Sequence, residues 1–242
     1  MYAIDIQGLT KRYGEILALD HLTLRVEEGE LLSLLGVNGA GKTTTVKLLS
    51  CLTRPTEGDA YLLGKSVRHD PAAVKSLIAV SPQETAVAFG LTAKENLELI
   101  CGVHGFPRSK RNQKIAELTD HLGLESVLNR KAGKLSGGWQ RRLSIAMALV
   151  SEPQILFLDE PTLGLDVLAR SDLWEVIRAL RGKVTVILTT HYMEEAEALS
   201  DRVAIMKDGR LLVCDTPQGI KTATGTDDFE QAFIRTVKEV GA

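Results

Sequence analysis

The stretch from Glu30 to Thr44, ELLSLLGVNGAGKTT, constrains the fold more than any other part of the sequence. It begins with a near-continuous apolar run to Gly36, as in a β-strand that is buried on both faces. A glycine-rich turn follows this run, and the next residues predict a helix from about Thr43 to Ser50. A buried strand that passes through a tight turn into a helix is one unit of an α/β protein.

Strands and helices alternate at both ends of the chain. Towards the N-terminus, strands are predicted at YAIDIQ, LTLRV, AYLLG and LIAVSPQ, and towards the C-terminus at QILFLDE, KVTVILTT, RVAIM and RLLVC. From about residue 91 to residue 150 the apolar spacing is helical and strand signals are few. We therefore predict a largely parallel α/β core with a helical insertion in its middle.

The composition narrows the possible functions. The 242 residues carry a net charge of −2, whereas a DNA-binding protein usually shows a basic excess or a basic face, so we expect no nucleic-acid partner. The three cysteines are far apart and odd in number, which fits a reducing compartment. We see no secretory signal at the N-terminus and no apolar run that approaches the roughly 20 residues needed to span a bilayer. Any membrane role is therefore expected to come through a partner.

The glycine-rich turn matches the phosphate-binding pattern G-x-x-x-x-G-K-[ST]. Gly36, Gly39 and Gly41 allow the backbone to curl so that several N–H groups face one point. The following helix adds the positive end of its dipole there. Lys42 is then expected to reach the β- and γ-phosphates of a nucleotide, and the hydroxyl of Thr43 to bind Mg²⁺. A plain glycine-rich turn is the alternative, but the strand and the helix on either side argue against it.

Two acids are expected at the same edge of the sheet. In ILFLDE, four apolar residues end in Asp159 and Glu160. A buried strand delivers such residues to its carboxyl end, where open α/β sheets bind ligands. Beside a phosphate loop, Asp159 is predicted to face Mg²⁺ and Glu160 to polarise water. A strand that simply ends in solvated acids is the alternative.

Together with further motifs, these residues resemble the nucleotide-binding subunit of an ABC transporter, from Tyr2 to about Ile220. The resemblance implies an α/β fold: a RecA-like P-loop NTPase core with a parallel sheet, an N-terminal antiparallel β subdomain and an inserted helical subdomain at about residues 87–152. It also implies an ATPase domain over residues 1–220 and a C-terminal helical tail over residues 221–242.

The resemblance assigns individual roles as well. Tyr13 stands where the family stacks an aromatic ring on adenine, and Gln83 stands at the Q-loop, whose glutamine contacts Mg²⁺ and links ATP to the membrane partner. His191 matches the switch histidine, which contacts the γ-phosphate and orders the attacking water. The implied catalytic residues are Lys42, Gln83, Glu160 and His191, and the implied Mg²⁺ ligands are Thr43, Gln83 and Asp159. The implied contacts of the phosphate loop with ATP are Gly36, Val37, Asn38, Gly39, Ala40, Gly41, Lys42, Thr43 and Thr44.

The stretch LSGGWQRR resembles the signature of the family, L-S-G-G-Q. The apolar spacing that follows predicts a helix beginning near Gly138, whose N–H groups and dipole would face an anion. The resemblance implies that this anion is the γ-phosphate of ATP held by a second copy, with Ser136 and Gly137 also giving it room. Trp139 stands where the family has glutamine, and a glutamine follows one position later. A serine-capped helix without a ligand is the alternative.

The resemblance implies an ATPase subunit that energises a membrane permease. Two copies, expected to be identical, would close around two ATP molecules, and the D-loop LGLD, which ends at Asp166, would cross to the other copy. The stretches EPTLGLDV and HYMEEAEALSDRVAIMKDGRL are most similar to ATPases of ABC-2-type exporters, among them multidrug and sodium-efflux systems. We therefore expect a peripheral protein at the cytoplasmic face of the plasma membrane, docked to its permease through the groove between Gln83 and the helical insertion.

Two other functions stay open at this point. A soluble ABC ATPase would act on ribosomes, DNA or cofactor assembly, but such proteins usually show tandem ATPase domains, long coiled coils or a basic surface, which this sequence lacks. A regulatory scaffold would bind ATP without cleaving it. The presence of Lys42, Asp159, Glu160 and His191 argues against this last function.

Two further segments are expected to be structural. The charge run RSKRNQK, residues 108–114, is typical of the solvated face of a helix. Near the C-terminus, Phe229, Phe233, Ile234 and Val237 recur at helical spacing, which indicates core packing or a dimer contact.

Overall fold

The computed structural model describes residues 2–239 and contains, within them, two β-sheets and nine α-helices. The strands are β1 (Tyr2–Tyr13), β2 (Ile16–Glu27), β3 (Leu31–Leu35), β4 (Glu57–Leu62), β5 (Lys65–Ser66), β6 (Ile78–Ser81), β7 (Ile155–Asp159), β8 (Thr185–Thr190), β9 (Arg202–Lys207) and β10 (Arg210–Asp215). The helices are α1 (Lys42–Leu49), α2 (Pro71–Leu77), α3 (Ala93–Val103), α4 (Arg108–Leu122), α5 (Gly137–Leu149), α6 (Val167–Arg178), α7 (Met193–Leu199), α8 (Pro217–Thr224) and α9 (Phe229–Glu239). The predicted domain limits at residues 1 and 242 lie outside the described residues.

The larger sheet has the strand order β10-β9-β3-β8-β7-β6. The strands from β9 to β6 run parallel, and β10 pairs antiparallel with β9 at the edge. β3, β7 and β8 are buried along their whole length, because packed layers cover both faces of the sheet. The prediction of a largely parallel core is confirmed.

The smaller sheet, β2-β1-β4-β5, is antiparallel and forms the predicted N-terminal β subdomain. Its inward side chains share a core with α1 and with the face of the parallel sheet that carries Leu32, Leu34 and Phe157. The alternate residues Leu31 and Leu156 point to the opposite face, as the two-residue period of a strand requires. Both β1 and β2 are longer than the sequence pattern predicts.

Helices α3, α4 and α5 lie between β6 and β7 and form the predicted helical insertion. α3 begins at a capping box, in which the backbone N–H of Glu95 donates to the Thr92 hydroxyl (3.1 Å) and the backbone N–H of Thr92 donates to the Glu95 carboxylate (2.7 Å). The apolar sides of the three helices share one core with the second face of the parallel sheet. The insertion is therefore packed directly on the sheet, while the predicted residue limits of the domains stay predictions.

The solvated face predicted for residues 108–114 does not include its last member. Lys114 is only 6% exposed and forms ion pairs with Glu117 (3.0 Å) and Glu152 (2.9 Å). Because Glu152 lies just before β7, these ion pairs connect α4 to the loop that enters the central sheet.

The C-terminal helices α8 and α9 pack at the β9 side of the parallel sheet. Phe229 and Phe233 lie in one apolar cluster with Leu35, Val203 and Ile205. Of the two interpretations of this segment, core packing is therefore confirmed.

The sequence pattern does not predict α2, which has seven residues and begins with Pro71 at its first helical position. A helix of this length is too short to display a clear apolar period. None of the helices between residues 2 and 239 is both long and apolar enough to cross a membrane.

Candidate active site

Three adjacent strands bring the predicted site residues to one edge of the sheet. β3 leads into the phosphate loop Gly36–Gly41, β7 leads into Glu160, and β8, which lies between them, leads into His191. The carboxyl ends of these strands open into a cleft of about 660 Å³. The cleft is lined by Tyr13, Ile16, Leu17, Ala18, Asn38, Gly39, Ala40, Gly41, Lys42, Thr43, Thr44, Gln83, Glu160, Leu163, His191 and Asp208.

The phosphate loop needs glycine at Gly36 and Gly41 for two different reasons. A Cβ atom at Gly36 would lie 2.4 Å from the carbonyl oxygen of Met206 on β9, so the close approach of the two backbones excludes a side chain. Gly41 has φ +101° and caps the start of α1 in the left-handed region, which glycine adopts without strain. The loop therefore turns sharply enough to place the N-terminus of α1 at the cleft, where it favours an anion.

The ammonium group of Lys42 is fixed inside the phosphate loop. Nζ donates to the carbonyl oxygens of Gly36 (2.7 Å) and Val37 (3.3 Å), and it lies 3.5 Å from Oε1 of Glu160. The residue is only 5% exposed. A buried positive charge at this loop fits the phosphates of a nucleotide, because charge-assisted hydrogen bonds to phosphate oxygens are strong.

The residues predicted to bind Mg²⁺ also lie together. The Thr43 hydroxyl donates to Oδ1 of Asp159 at 3.3 Å, and Gln83 lines the same cleft. Hydroxyl, carboxylate and amide oxygens suit Mg²⁺, which commonly takes one or two protein carboxylates and completes its shell with phosphates and water. In residues 2–239 we find no cluster of three or more histidine, cysteine, aspartate or glutamate side chains arranged to hold a metal. The oxygen donors of Thr43, Asp159 and Gln83 fit an Mg²⁺ ion that the phosphates of a nucleotide also bind.

Glu160 and His191 form a pair at the cleft. Oε2 of Glu160 lies 2.6 Å from Nδ1 of His191, and since a carboxylate only accepts hydrogen bonds, Nδ1 carries the hydrogen in this contact. Glu160 also has φ +48°, a left-handed conformation that costs a non-glycine residue about 1–3 kcal/mol. Its backbone N–H is held there by the hydroxyl and the carbonyl oxygen of Thr189, at 3.0 and 3.1 Å. Hydrogen bonds therefore hold Glu160 at two points: His191 holds its carboxylate, and Thr189 holds its backbone N–H.

Tyr13 lies at the rim of the cleft and is 46% exposed. The ammonium group of Lys11 lies 4.9 Å from the centre of its ring. The wall beside Tyr13 also contains Ile16, Leu17 and Ala18 from the start of β2, which the sequence motifs do not identify. Ile16 is 69% exposed, so an apolar surface is available next to the ring predicted to stack on adenine.

The structure does not bring the signature residues or Asp166 to this cleft. Ser136 and Gly137 lie exposed at the N-terminus of α5, and the Ser136 hydroxyl makes no capping hydrogen bond. Asp166 instead caps α6, where Oδ1 accepts a hydrogen bond from the backbone N–H of Ala169 at 2.9 Å. These residues form a separate exposed surface, and their predicted contacts with the nucleotide of a second copy stay a prediction.

The unusual Trp139 has a structural place in the helical insertion. It packs against the apolar core of the insertion, and the guanidinium of Arg142 lies 4.7 Å from its ring centre. Gln140, one position later, donates through Nε2 to the carbonyl oxygens of Ala132 and Leu135, each at 3.1 Å. The glutamine thus supports the loop that leads into the signature.

Arg141 connects the signature helix to the segment that carries Gln83. It is 7% exposed, and its guanidinium donates to the carbonyl oxygen of Pro82 at 2.9 Å. Burial lowers the pKa of Arg141, and the negative charge of Asp159 opposes this shift. The signature motif does not predict this contact, because the contact depends on how α5 packs beside β6.

The chain is similar to known proteins. The family model described as ABC transporter matches residues 19–163. The daunorubicin resistance ATP-binding protein DrrA2 of Streptomyces coeruleorubidus is 42% identical over 230 residues, which are 95% of this chain and 71% of that protein. The doxorubicin resistance ATP-binding protein DrrA of Mycobacterium tuberculosis is 40% identical over 243 residues, which cover 99% of this chain and 73% of the relative.

Solved structures agree with the sequence relatives. A chain described as the ATP binding subunit of an ABC transporter superposes with a TM-score of 0.84 at 27% identity, covering 97% of this chain and 99% of that one. A second, described as the dimeric post-hydrolysis state of an ATP-binding cassette bound to ADP and Pi, gives a TM-score of 0.76 at 29% identity and covers 88% of this chain and 98% of that one.

The chain belongs to the ABC transporter family and is an ATP-hydrolysing subunit of that family. The predicted family, fold class and ATPase activity are thereby confirmed. The roles assigned to individual residues stay predictions, which the geometry described above supports for the phosphate loop, Lys42, Thr43, Asp159, Glu160 and His191.

Proposed function

We propose that this chain is the ATPase subunit of an exporter that removes drug-like compounds from the cell. The observation that carries the hydrolytic part is the Glu160–His191 contact of 2.6 Å beside the phosphate loop. Support for export comes from the names of the relatives, which are resistance proteins for daunorubicin and doxorubicin. The permease would choose the cargo, and the ATPase would supply the driving force.

In this proposal each group at the cleft acts on a different part of ATP. Lys42 and the N-terminus of α1 hold the phosphates, and Tyr13 with the apolar wall of β2 takes the adenine. Thr43, Asp159 and Gln83 hold Mg²⁺, which would stabilise the charge that develops on the phosphate oxygens. Glu160 accepts a proton from water, and His191 orients that water and contacts the γ-phosphate. Positioning and charge stabilisation supply most of the rate in such reactions.

A second copy of the chain would complete the site. Ser136, Gly137 and Gly138 are not at the cleft of their own chain, yet they present the exposed N-terminus of a helix of 13 residues. The apolar residues Val167 and Leu168, which follow Asp166, are 75% and 78% exposed. A dimer that lays this surface over the partner's cleft would cover both features. The dimeric cassette among the structural neighbours supports this arrangement.

The membrane partner would dock on the helical insertion near Gln83. Phe89, Leu99 and Val103 are 57%, 49% and 75% exposed, and they lie on the Gln83 segment or on α3. An apolar surface of this kind suits a helix presented by a permease. The chain would then act as a peripheral protein at the cytoplasmic face of the plasma membrane. Purification from solubilised membranes that recovers no integral membrane protein would contradict this part of the proposal.

The substitution Glu160→Gln tests the catalytic part, because it keeps the shape of the side chain and removes its basicity. We expect ATP turnover to fall by about 10²- to 10⁴-fold, while ATP still binds and the variant becomes a dimer in Mg-ATP. Phosphate release and size-exclusion chromatography with light scattering measure the two effects. The variant Lys42→Ala provides the contrast. It should lose ATP turnover and should also fail to dimerise in Mg-ATP, because Lys42 is predicted to hold the phosphates. Wild-type turnover in Glu160→Gln would remove Glu160 from the role of base, and a monomer at saturating Mg-ATP would exclude the paired site.

A further inference from the structure

One buried acid next to the catalytic pair has no role in the mechanism described so far. Glu195, on α7, has 0% of its surface exposed. Its Oε1 accepts a hydrogen bond from the indole N–H of Trp174 on α6 at 3.2 Å. Its Oε2 is also buried and has no geometrically complete hydrogen bond within residues 2–239. A fully buried carboxyl group with one firm partner is rare, because removing it from water is costly.

The groups that face this carboxyl belong to the two segments that carry the catalytic pair. They are the hydroxyls of Thr162, two residues after Glu160, and of Thr190, directly before His191. The Thr162 hydroxyl is itself buried without another partner among the described residues. The Thr190 hydroxyl accepts a hydrogen bond from the backbone N–H of Tyr192 at 3.0 Å. Its own O–H remains available to donate to another group. Glu195 therefore sits where α6, α7 and both catalytic segments meet.

The surroundings favour the neutral form of the acid. Burial raises the pKa of Glu195 most, the nearby polar groups of Thr190, Thr162 and Trp174 lower it, the charge of Glu160 raises it further, and the net shift of the pKa is upward. Within the described part of the chain, no cation is among the groups that act on it. A neutral carboxylic acid has one O–H to donate as well as acceptor oxygens, so it can serve several hydroxyl groups at once.

We propose that Glu195 is a positioning residue for ATP hydrolysis: its carboxyl group, held by Trp174, hydrogen-bonds the Thr162 and Thr190 segments and thereby sets the contact between Glu160 and His191. It touches neither the nucleotide cleft nor the phosphate loop. Its effect should therefore fall on the chemical step and leave ATP binding unchanged. Displacing a catalytic group by about 1 Å can cost on the order of 10²-fold in rate.

Three variants of the full-length protein test this role. Glu195→Ala should lower kcat for ATP hydrolysis by about 10- to 100-fold, with KM for ATP unchanged within about 2-fold, because the phosphate loop keeps its contacts. Glu195→Gln keeps a donor and an acceptor on a side chain of the same shape and should retain kcat within about 3-fold. Glu194→Ala is the matched control on the same helix, since the Glu194 side chain is 82% exposed, and it should leave kcat unchanged.

A background that cannot hydrolyse ATP separates positioning from general loss of structure. In Glu160→Gln, adding Glu195→Ala should leave the dimer in Mg-ATP intact, because closure depends on ATP binding. If Glu195→Ala does not fold, Trp174→Phe removes the indole donor with less change in packing and should lower kcat by several-fold at constant KM. Wild-type kcat in Glu195→Ala, or an equal loss in the Gln and Ala variants, would overturn the proposal. Inactive wild-type protein would count instead against the hydrolytic function itself.

Discussion

At the residue scale, the positions of Asp159 and Glu160 depend on the hydroxyl group of Thr189, which the sequence motifs described above do not contain. Oγ1 of Thr189 donates to Oδ1 of Asp159 at 2.5 Å and accepts from the backbone N–H of Glu160 at 3.0 Å. One side chain on β8 therefore orients the acid predicted to bind Mg²⁺ and holds the next acid in its strained left-handed conformation. Strain of this kind persists only where surrounding contacts determine the geometry, which is frequent at active sites.

The raised pKa of Glu195 predicts how stability depends on pH. A raised folded-state pKa contributes stability below the unfolded value for a glutamate, about 4.3, and this contribution is lost as pH rises towards the folded-state pKa. Glu195→Gln removes the ionisable group, so the variant does not lose this stability as the pH rises. We therefore expect its Tm to rise relative to that of the wild-type protein as the pH increases from 4.5 to 8. Calorimetry at several pH values checks this, and a constant difference would indicate that Glu195 is ionised in the folded protein.

At the element scale, the paired glycines of the signature have two separate explanations. A Cβ atom at Gly138 would lie 3.0 Å from the Cβ of Ala169, so the start of α5 packs closely against the start of α6. At Gly137 an added Cβ would make only ordinary contact, 3.4 Å from a methyl carbon of Leu165, and the residue is exposed. Close packing within the chain thus favours glycine at position 138, whereas no such contact favours it at position 137, which is exposed.

This difference predicts opposite effects on stability without nucleotide. Gly138→Ala overfills the contact between α5 and α6, at a cost of about 1–3 kcal/mol that exceeds the gain of about 0.5–1 kcal/mol from helix propensity. Gly137→Ala should have the same gain in helix propensity, and its new methyl group makes no such close contact. We expect the Tm of Gly138→Ala to lie about 2–4 °C or more below that of Gly137→Ala. Thermal unfolding of the two variants without ATP measures this, and equal Tm values would disprove the close packing.

At the scale of the whole molecule, three apolar cores join the parts of the chain around one sheet. The antiparallel sheet and α1 share a core with one face, and the helical insertion shares a core with the other. The third joins α7, α8 and α9 to residues at the β9 side. All three cores include residues of the parallel sheet, so the insertion and the tail both pack directly on the sheet whose strands end at the cleft.

The tail should accordingly contribute to global stability. Phe233 is 8% exposed in the third core, so Phe233→Ala should lower the free energy of unfolding by about 3 kcal/mol through lost burial and a cavity. Phe89 is 57% exposed, and Phe89→Ala should change the same quantity by no more than about 0.5 kcal/mol. Urea denaturation compares the two variants. A loss in Phe233→Ala as small as that of the control would mean that the tail folds separately from the sheet.

The sequence by itself determined the features that local patterns encode. The phosphate loop, the acids after β7 and the histidine after β8 follow apolar runs, and a run buried on both faces implies a covered parallel sheet. Residues that follow neighbouring parallel strands must meet at one edge. The sequence patterns therefore predict Lys42, Asp159 and Glu160 at this edge, and the resemblance to the family adds His191.

Only the tertiary structure decided which side chains hold that site in place. Thr189, Arg141 and Glu195 act across strands or between helices, and their partners are 30, 59 and 21 residues away in the chain. No periodicity or spacing encodes such pairs, because a hydrogen bond between distant residues depends on how whole elements pack. The burial of Glu195 likewise depends on the tertiary structure, because the packed layers exclude water from its carboxyl group and no local sequence signal records that burial.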